Sequence, residues 1–307
     1  MKQISEIRKQ VEAEGRPHRV KRGWRRAFHL ENMPWLIRAF DYSLQVSCLK
    51  TTGQRNALSV QVERTELILG VLPEAFDAYR ILLITDLHID GNDQLADKVI
   101  DLVEDLNYDL CVLGGDYTFA EKRESDVAFS RMVKLATFLT RKTRVVGILG
   151  NHDRYTMAEC LSQCGVDMLI NDHLRLDKGP DSLYLVGLDD CHYFGADKLE
   201  LAQEDVPRDA FKLMLCHSPE RYECASQAGF PLYLAGHTHG GQVCLPGGFA
   251  PVSCATIPRA FIKGPWQYQG MKGYTSRGAG TSSLPVRFFC EPELALLTLR
   301  RADTGGT

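Results

Sequence analysis

Five short stretches of the chain end in side chains that bind cations or move protons. They read Thr85-Asp86-Leu87-His88, Gly114-Gly115-Asp116, Gly150-Asn151-His152-Asp153, Cys216-His217 and Gly236-His237-Thr238-His239-Gly240-Gly241. Imidazole and oxygen donors of this kind suit Mn, Fe or Zn better than Ca or soft-metal clusters. On an extended chain residues i and i+2 point the same way, so Asp86 and His88 can share an ion, as can His237 and His239. Glycine beside the donors lets backbone approach where a side chain would block it. Of the nine histidines, five (His88, His152, His217, His237 and His239) fall in these stretches. The other four, His18, His29, His173 and His192, read as surface or packed histidines.

The stretches follow apolar runs that read as buried strands: 80–85, 110–113, 144–149, 212–216 and 232–235, with further strands at 183–188 and 294–299. Helical spacing of apolar residues marks 94–106, with Asn92 and Asp93 as possible caps, and 126–140. Strands alternating with helices predict an α/β layered domain. Ligands of α/β sheets sit at the carboxyl ends of the strands, which is where these polar residues fall. The expected organisation is an N-terminal extension over 1–72, a catalytic domain over 73–302 and a tail over 303–307.

Taken in order, Asp86-x-His88, Gly115-Asp116, Gly150-Asn151-His152-Asp153, His217 and Gly236-His237-x-His239 resemble the motif series of the calcineurin-like metallophosphoesterases. Gln242 after the last motif, Ser276-Arg277-Gly278 and Pro285-Val286-Arg287-Phe288-Phe289 look like the bacterial phosphodiesterase branch, whose relatives include UDP-2,3-diacylglucosamine pyrophosphatases. The serine/threonine phosphatases are less similar: they would carry Asp-Arg-Gly after Gly-Asp-Tyr and a glutamate after Asn-His, where this chain has Gly115-Asp116-Tyr117-Thr118 and Asp153. The resemblance implies a four-layer α/β/β/α sandwich and two divalent metal ions, Mn, Fe or Zn with Mn favoured. Asp86, His88 and His239 would hold the first ion, Asn151, His217 and His237 the second, and Asp116 would bridge them. His152 would contact the phosphoryl group or protonate the leaving group, and Asp153 would orient it. Two such ions clamp a phosphoryl group and lower the pKa of a shared water for in-line attack. Arg154 and Arg277 are candidate substrate contacts.

Bulk properties narrow the partners. The chain has 307 residues, 44% hydrophobic and 24% charged, with a net charge of -3. Length suffices for a full core, and the charge gives no argument for nucleic acid. Ten cysteines without a CxxC pair read as reduced, mostly buried thiols of a cytoplasmic protein. No long apolar run marks a signal peptide or a membrane span. Residues 16–26, RPHRVKRGWRR, carry six Arg/Lys and no acid, and Phe28, Trp35, Leu36 and Phe40 follow. Such a segment, 16–40, can dock on an anionic membrane surface or simply pack on the domain. Pro34 argues against one unbroken helix there. Phe249, Phe261, Lys263, Trp266, Tyr268 and Lys272 could line a pocket or pack their loop onto the sheet. The expected substrate is a phosphorylated small molecule or a lipid-linked or nucleotide-sugar diphosphate. The alternatives are a nuclease, a general phosphomonoesterase or a non-catalytic metal-binding scaffold.

Overall fold

Period-two alternation along the strands sorts apolar side chains onto two faces, and the layering follows from it. The computed structural model describes residues 2–14, 34–119 and 125–302; the basic stretch 16–26, Phe28 and the tail 303–307 lie outside them. One sheet contains β1 (Gln61–Leu69), β2 (Arg80–Ile84), β3 (Leu110–Leu113), β4 (Val145–Gly147), β5 (Asp167–Met168) and β12 (Glu293–Arg301), in the order β1-β12-β2-β3-β4-β5. The other contains β6 (Asp172–Lys178), β7 (Asp181–Gly187), β8 (Lys212–Leu215), β9 (Leu232–Ala235), β10 (Gly264–Tyr268) and β11 (Met271–Thr275), in the order β10-β11-β9-β8-β7-β6.

In β2, Ile81 and Leu83 join the core between the sheets, while Leu82 and Ile84 face the outer core. The second sheet mirrors this: Leu232 and Leu234 point inward, Tyr233 and Ala235 outward. Each such buried side chain contributes about 1.5–3 kcal/mol relative to exposure. Outside the first sheet lie α4 (Leu95–Glu104), α5 (Asp126–Lys142) and α6 (Tyr155–Gln163), which cover it with Val99, Leu135, Leu161 and neighbours. Outside the second lie the short α7 (Leu199–Ala202) and α8 (Tyr222–Gln227), with Phe261 and Trp266. The result is the four-layer α/β/β/α sandwich expected from the motif series.

The helix ends obey local rules. Ser125 caps α5 by accepting from the Ala128 amide, and Arg141 and Lys142 occupy its last turn, where the helix dipole favours cations. Asn92 accepts from the Gln94 amide just ahead of α4.

The N-terminal part adds α1 (Lys2–Ala13), α2 (Pro34–Val46) and α3 (Lys50–Ala57). Proline opens α2 rather than interrupting it, at the position where its missing N–H costs nothing. Strand β1 falls inside the 1–72 stretch and pairs in parallel with β12, so the first sheet takes it in as an edge strand. The ten cysteines, all within the described residues, are unbridged, although Cys191 and Cys216 sulfurs lie 3.8 Å apart. Among the described residues no helix is long and apolar enough to cross a membrane.

Candidate metal centre

The turns that leave β2, β3, β4, β8 and β9 converge at the carboxyl edges of the two sheets. Asp86, His88, Asp116, Asn151, His217, His237 and His239 are all buried there. Donor atoms of Asp86, His88 and His239 lie within 4.8 Å of one another. So do those of Asp116, His217 and His237, and those of His88, Asp116 and His152. His217 Nε2 is 3.2 Å from Asp116 Oδ2, and His239 Nε2 is 3.4 Å from Asp86 Oδ1.

The backbone route to this geometry differs from the extended one assumed above. Asp86, His88, Asp116, His237 and His239 all have positive φ, from 40° at His88 to 68° at His237. Left-handed backbone at a residue with a side chain is uncommon, costs of order 1–3 kcal/mol, and clusters at functional sites. The paired donors therefore converge because each sits in a tight left-handed turn, not because alternate residues of a strand share a face. Glycine permits the crowding. A Cβ on Gly150 would lie 2.1 Å from Asp116 Oδ1, and one on Gly236 2.3 Å from Asp86 Oδ2.

Hydrogen bonds orient the imidazoles. His88 Nδ1 faces the Thr118 carbonyl at 2.7 Å, His217 Nδ1 the Gly114 carbonyl at 2.7 Å, and His237 Nδ1 the Asn151 carboxamide oxygen at 2.8 Å. Oxygen accepts only from a protonated nitrogen, so in the His88 and His237 rings the Nε2 lone pair is left for a cation. At His217 burial is outweighed by Asp116, which raises its pKa well above the usual range in the metal-free protein, so a cation there would displace a proton. The buried Nε2 atoms of His217 and His237 have no hydrogen-bond partner among the described residues. His88 Nε2 and His239 Nε2 face each other at 3.2 Å. Converging, unsatisfied imidazole nitrogens beside two carboxylates are a donor set that fits divalent cations.

Charge follows burial. Burial, then the neighbouring His152, depresses His88 to about 4. Burial likewise drives His237 and His239 well below the usual range, aided at His239 by His88 and the guanidinium of Arg287. These rings are therefore neutral and ready to bind at pH 7. Burial, with Asp116 adding repulsion, pushes Asp86 up to about 6 and Asp153 up to about 6. At Asp116 burial is outweighed by His217 and His152, which hold its carboxyl well below the ordinary range.

The structure gives several residues singled out in the sequence partners of their own. Asp153 does not meet the His152 ring. Its carboxylate accepts from the amides of Asp116 (2.7 Å), Gly150 (2.8 Å) and Tyr117 (2.8 Å), and so stitches two ligand-bearing turns together. The His152 ring nitrogen Nδ1 instead faces the Phe119 carbonyl at 3.3 Å. Arg277 is committed to Glu293 (2.5 Å) and Glu63 (3.0 Å), which neutralise it, and among the described residues it does not line the cleft over the cluster. Arg154 is exposed at the start of α6, also outside that lining. Phe261 and Trp266 stack on one another at 4.4 Å and pack on the second sheet, with Tyr268 against them. Lys263 donates to the Gly248 carbonyl of its own loop, and Lys272 of β11 donates to Gln267 of β10.

His192, expected to be a surface or packed histidine, is packed, and it stands beside the cluster: its ring centroid is 4.2 Å from that of His237, and Glu220 holds its Nδ1 at 2.7 Å. The signal that could have found it is the one used elsewhere: Asp189-Asp190-Cys191-His192 directly follows the carboxyl end of β7. Arg287 is fully buried behind His239, 3.3 Å from its Nδ1, and ties together the carbonyls of Arg277, Gly278 and Gly280.

The cluster floors a cleft of about 370 Å³. Its walls are Leu36, Ile37 and Phe40 of α2 on one side and Val243, Pro251, Val252 and Leu284 on the other. Residues 79–241 match the calcineurin-like phosphoesterase family. The chain belongs to that family. This calcineurin-like phosphoesterase is 29% identical to the phosphodiesterase YaeI of Escherichia coli, over 72% of this chain and 82% of YaeI. It is 26% identical to the uncharacterized metallophosphoesterase YkuE of Bacillus subtilis, over 79% of this chain and 87% of YkuE. A zebrafish (Danio rerio) transmembrane protein with a metallophosphoesterase domain is 27% identical, over 79% of this chain and 58% of that protein. Among solved structures, TT1561 of Thermus thermophilus superposes with a TM-score of 0.46 at 10% identity, covering 66% of this chain and 90% of that one. Family membership and the donor cluster together make the protein a phosphoester hydrolase dependent on divalent metal ions.

Proposed function

We propose that this enzyme is a phosphodiesterase or pyrophosphatase whose substrate carries an apolar group next to the scissile phosphate, as in a lipid-linked or nucleotide-sugar diphosphate of the UDP-2,3-diacylglucosamine type. One observation carries the reading: the metal cluster floors a cleft whose walls are apolar side chains from α2 and from 243–284. A charged floor selects phosphate, and apolar walls select what is attached to it.

Two ions, Mn favoured over Fe or Zn, would be held by Asp86, His88 and His239 and by Asn151, His217 and His237, with Asp116 between them. When bound they supply charge neutralisation and an activated water. The chain's own residues do the rest. His152 lies at the cleft, its Nε2 4.0 Å from Asp116 Oδ2, where it can hold a phosphoryl oxygen or give a proton to the departing one. Asp153 keeps the two central turns in register. Asp189 and Asp190 position the turn that sets His192 against His237. Docking on an anionic leaflet through 16–40 fits this reading, because Trp35 of α2 is 67% exposed and adjoins Leu36 of the cleft wall.

A metal-reconstituted screen over a phosphomonoester, a small soluble diester, a nucleotide-sugar pyrophosphate, a phospholipid and DNA tests the substrate class. The apolar diphosphate or phospholipid should give the highest kcat/KM; a preference for DNA or for monoesters would overturn it. Co-sedimentation with anionic vesicles tests the docking, which should need negative lipid and weaken in salt. Equal binding after Arg19, Lys21, Arg22, Arg25 and Arg26 are changed to Glu would rule it out.

A further inference from the structure

An arginine with no side-chain exposure is unexpected on an amphipathic helix near the start of a chain, because removing a guanidinium from water costs several kcal/mol unless every donor is met. Arg8 of α1 is such a residue. Its Nη1 is 2.5 Å from Asp189 Oδ1, and its Nε is 2.8 Å from Glu12 Oε1. Its Nη2 donates to the Asp153 carbonyl at 2.5 Å and lies 3.4 Å from that of Gly150. The guanidinium carbon sits 3.5 Å from the centroid of Phe194, a cation–π contact.

These partners belong to two turns at the edges of two sheets. Gly150 and Asp153 flank Asn151 and His152 in the turn after β4. Asp189 begins the turn after β7 that ends in Phe194, and in that turn Asp190 accepts from the amides of His192, Tyr193 and Phe194. The first turn faces the cluster with its amides: His152 N–H donates to Asp116 Oδ1 at 2.9 Å. Arg8 grips the same turn from behind, by its carbonyls. Glu12, one helical turn on, accepts from the Tyr155 amide at 2.9 Å and so holds the start of α6.

We propose that Arg8 is a positioning residue of the metal centre, a bolt that α1 drives between the Gly150–Asp153 turn and the Asp189–Phe194 turn so that Asn151 and His152 keep their places. The inference rests on the reading that Asn151, His217 and His237 hold the second ion. Groups that orient metal ligands from behind are worth about 10–100-fold in metal affinity or activity. The effect should fall on one ion, because Asp86, His88 and His239 stand on turns that Arg8 does not touch.

The test is metal titration of the purified full chain with Mn, read as two separate dissociation constants, together with thermal unfolding. In Arg8→Gln one of the two dissociation constants should rise about 10–100-fold while the other changes less than about threefold. Arg8→Gln leaves the buried Asp189 carboxylate without its partner and could compromise folding. The double variant Arg8→Gln with Asp189→Asn removes both charges and carries the test in that event. Its melting temperature should return towards the parent value while the one-ion defect persists. Arg8→Lys, which restores a charge but not the fork of donors, should recover only part of the affinity. Kinetics should show the loss mainly in kcat at saturating metal, with KM for a small diester little changed. Parental affinity for both ions in the double variant would overturn the proposal, as would an equal loss at both. A parent chain that binds fewer than two ions would instead sink the underlying ligand assignment.

Discussion

Two regions build this site by opposite means. The sheet edge supplies the cluster: Asp86, His88, Asp116, Asn151, His217, His237 and His239 are each buried and, at five of the seven, held in left-handed backbone, with glycines crowded against Asp86, Asp116 and His217. The N-terminal helices supply what surrounds it. α2 walls the cleft with Leu36, Ile37 and Phe40, and α1 reaches behind it with Arg8. The first region has a donor set and strained turns with little tolerance for substitution. The second has apolar surface and one buried cation, and many sequences could provide the same wall. Under the proposed function the labour divides accordingly, with chemistry at the edge and substrate choice in the walls raised by α2 and by residues 243–284.

The sharpest way to break that division is to remove its centre. Asp116→Ala should abolish nearly all hydrolysis and reduce bound metal well below two ions per chain, measured by elemental analysis after dialysis. Two ions at full occupancy would show that Asp116 does not join them. His152→Ala comes next. It should keep both ions and the parental melting temperature while kcat falls by about 10²–10⁴-fold, the usual contribution of a proton-transfer group. Because His152 also lies within reach of His88 and Asp116, lost metal in this variant would make it a ligand.

A smaller effect should separate the helices from the edge. Phe40→Asp places a charge on the cleft wall without touching the cluster. It should raise KM for an acyl-bearing substrate about tenfold, as loss of one apolar contact surface implies, and leave a small soluble diester unaffected. Equal losses on both substrates would mean that α2 serves the fold rather than selection.

The smallest effect is set by pH. Burial raises Asp86 and Asp153 to about 6 in the metal-free protein. Both bind a proton more readily folded than unfolded, so they cost the metal-free fold stability as pH rises from about 4 to about 6. A cation binds Asp86 only in its ionised form. Both terms have one sign: the rise in melting temperature on adding Mn should be larger at pH 7 than at pH 5. A gain independent of pH would show that these carboxyls do not feel the ion.

The same contrast explains what could be read from the chain alone. The donors were legible because Asp, Asn, His and Gly at the ends of apolar runs have few other uses, and the runs themselves were short, β-branched or leucine-rich and well separated. Strands β2, β3, β8 and β9 were placed to within a residue or so. What was not legible depends on partners distant in sequence. β1, QVERTELIL, alternates charge with apolar residues and is completed only by β12. Arg277 resembled a phosphate contact until Glu63 and Glu293, far along the chain, were seen to occupy it. Asp153 looked like a partner for the imidazole beside it, but three backbone amides compete for the same carboxylate and win by geometry. Arg8 gave no local signal, since nothing in KQISEIRKQVEA distinguishes it from a solvated arginine.

The place of β12 in the first sheet has a consequence for how the protein is made. β12 lies between β1 and β2, antiparallel to β2 and parallel to β1, and joins Gln61 to Glu293. On a ribosome the strands β2, β3 and β4 emerge early and can pair with one another. β1 has no place in the sheet until Glu293–Arg301 has been synthesised. Helix α3 waits too, because it leans on the same late segment: the Arg287 amide donates to the Gly53 carbonyl, and Asn56 donates to the Arg287 carbonyl. Closing contacts across so long a stretch of chain is slow compared with local pairing. The strand and helix that follow α2 in the chain are therefore secured only after this later segment has emerged, whereas β2, β3 and β4 can pair before it.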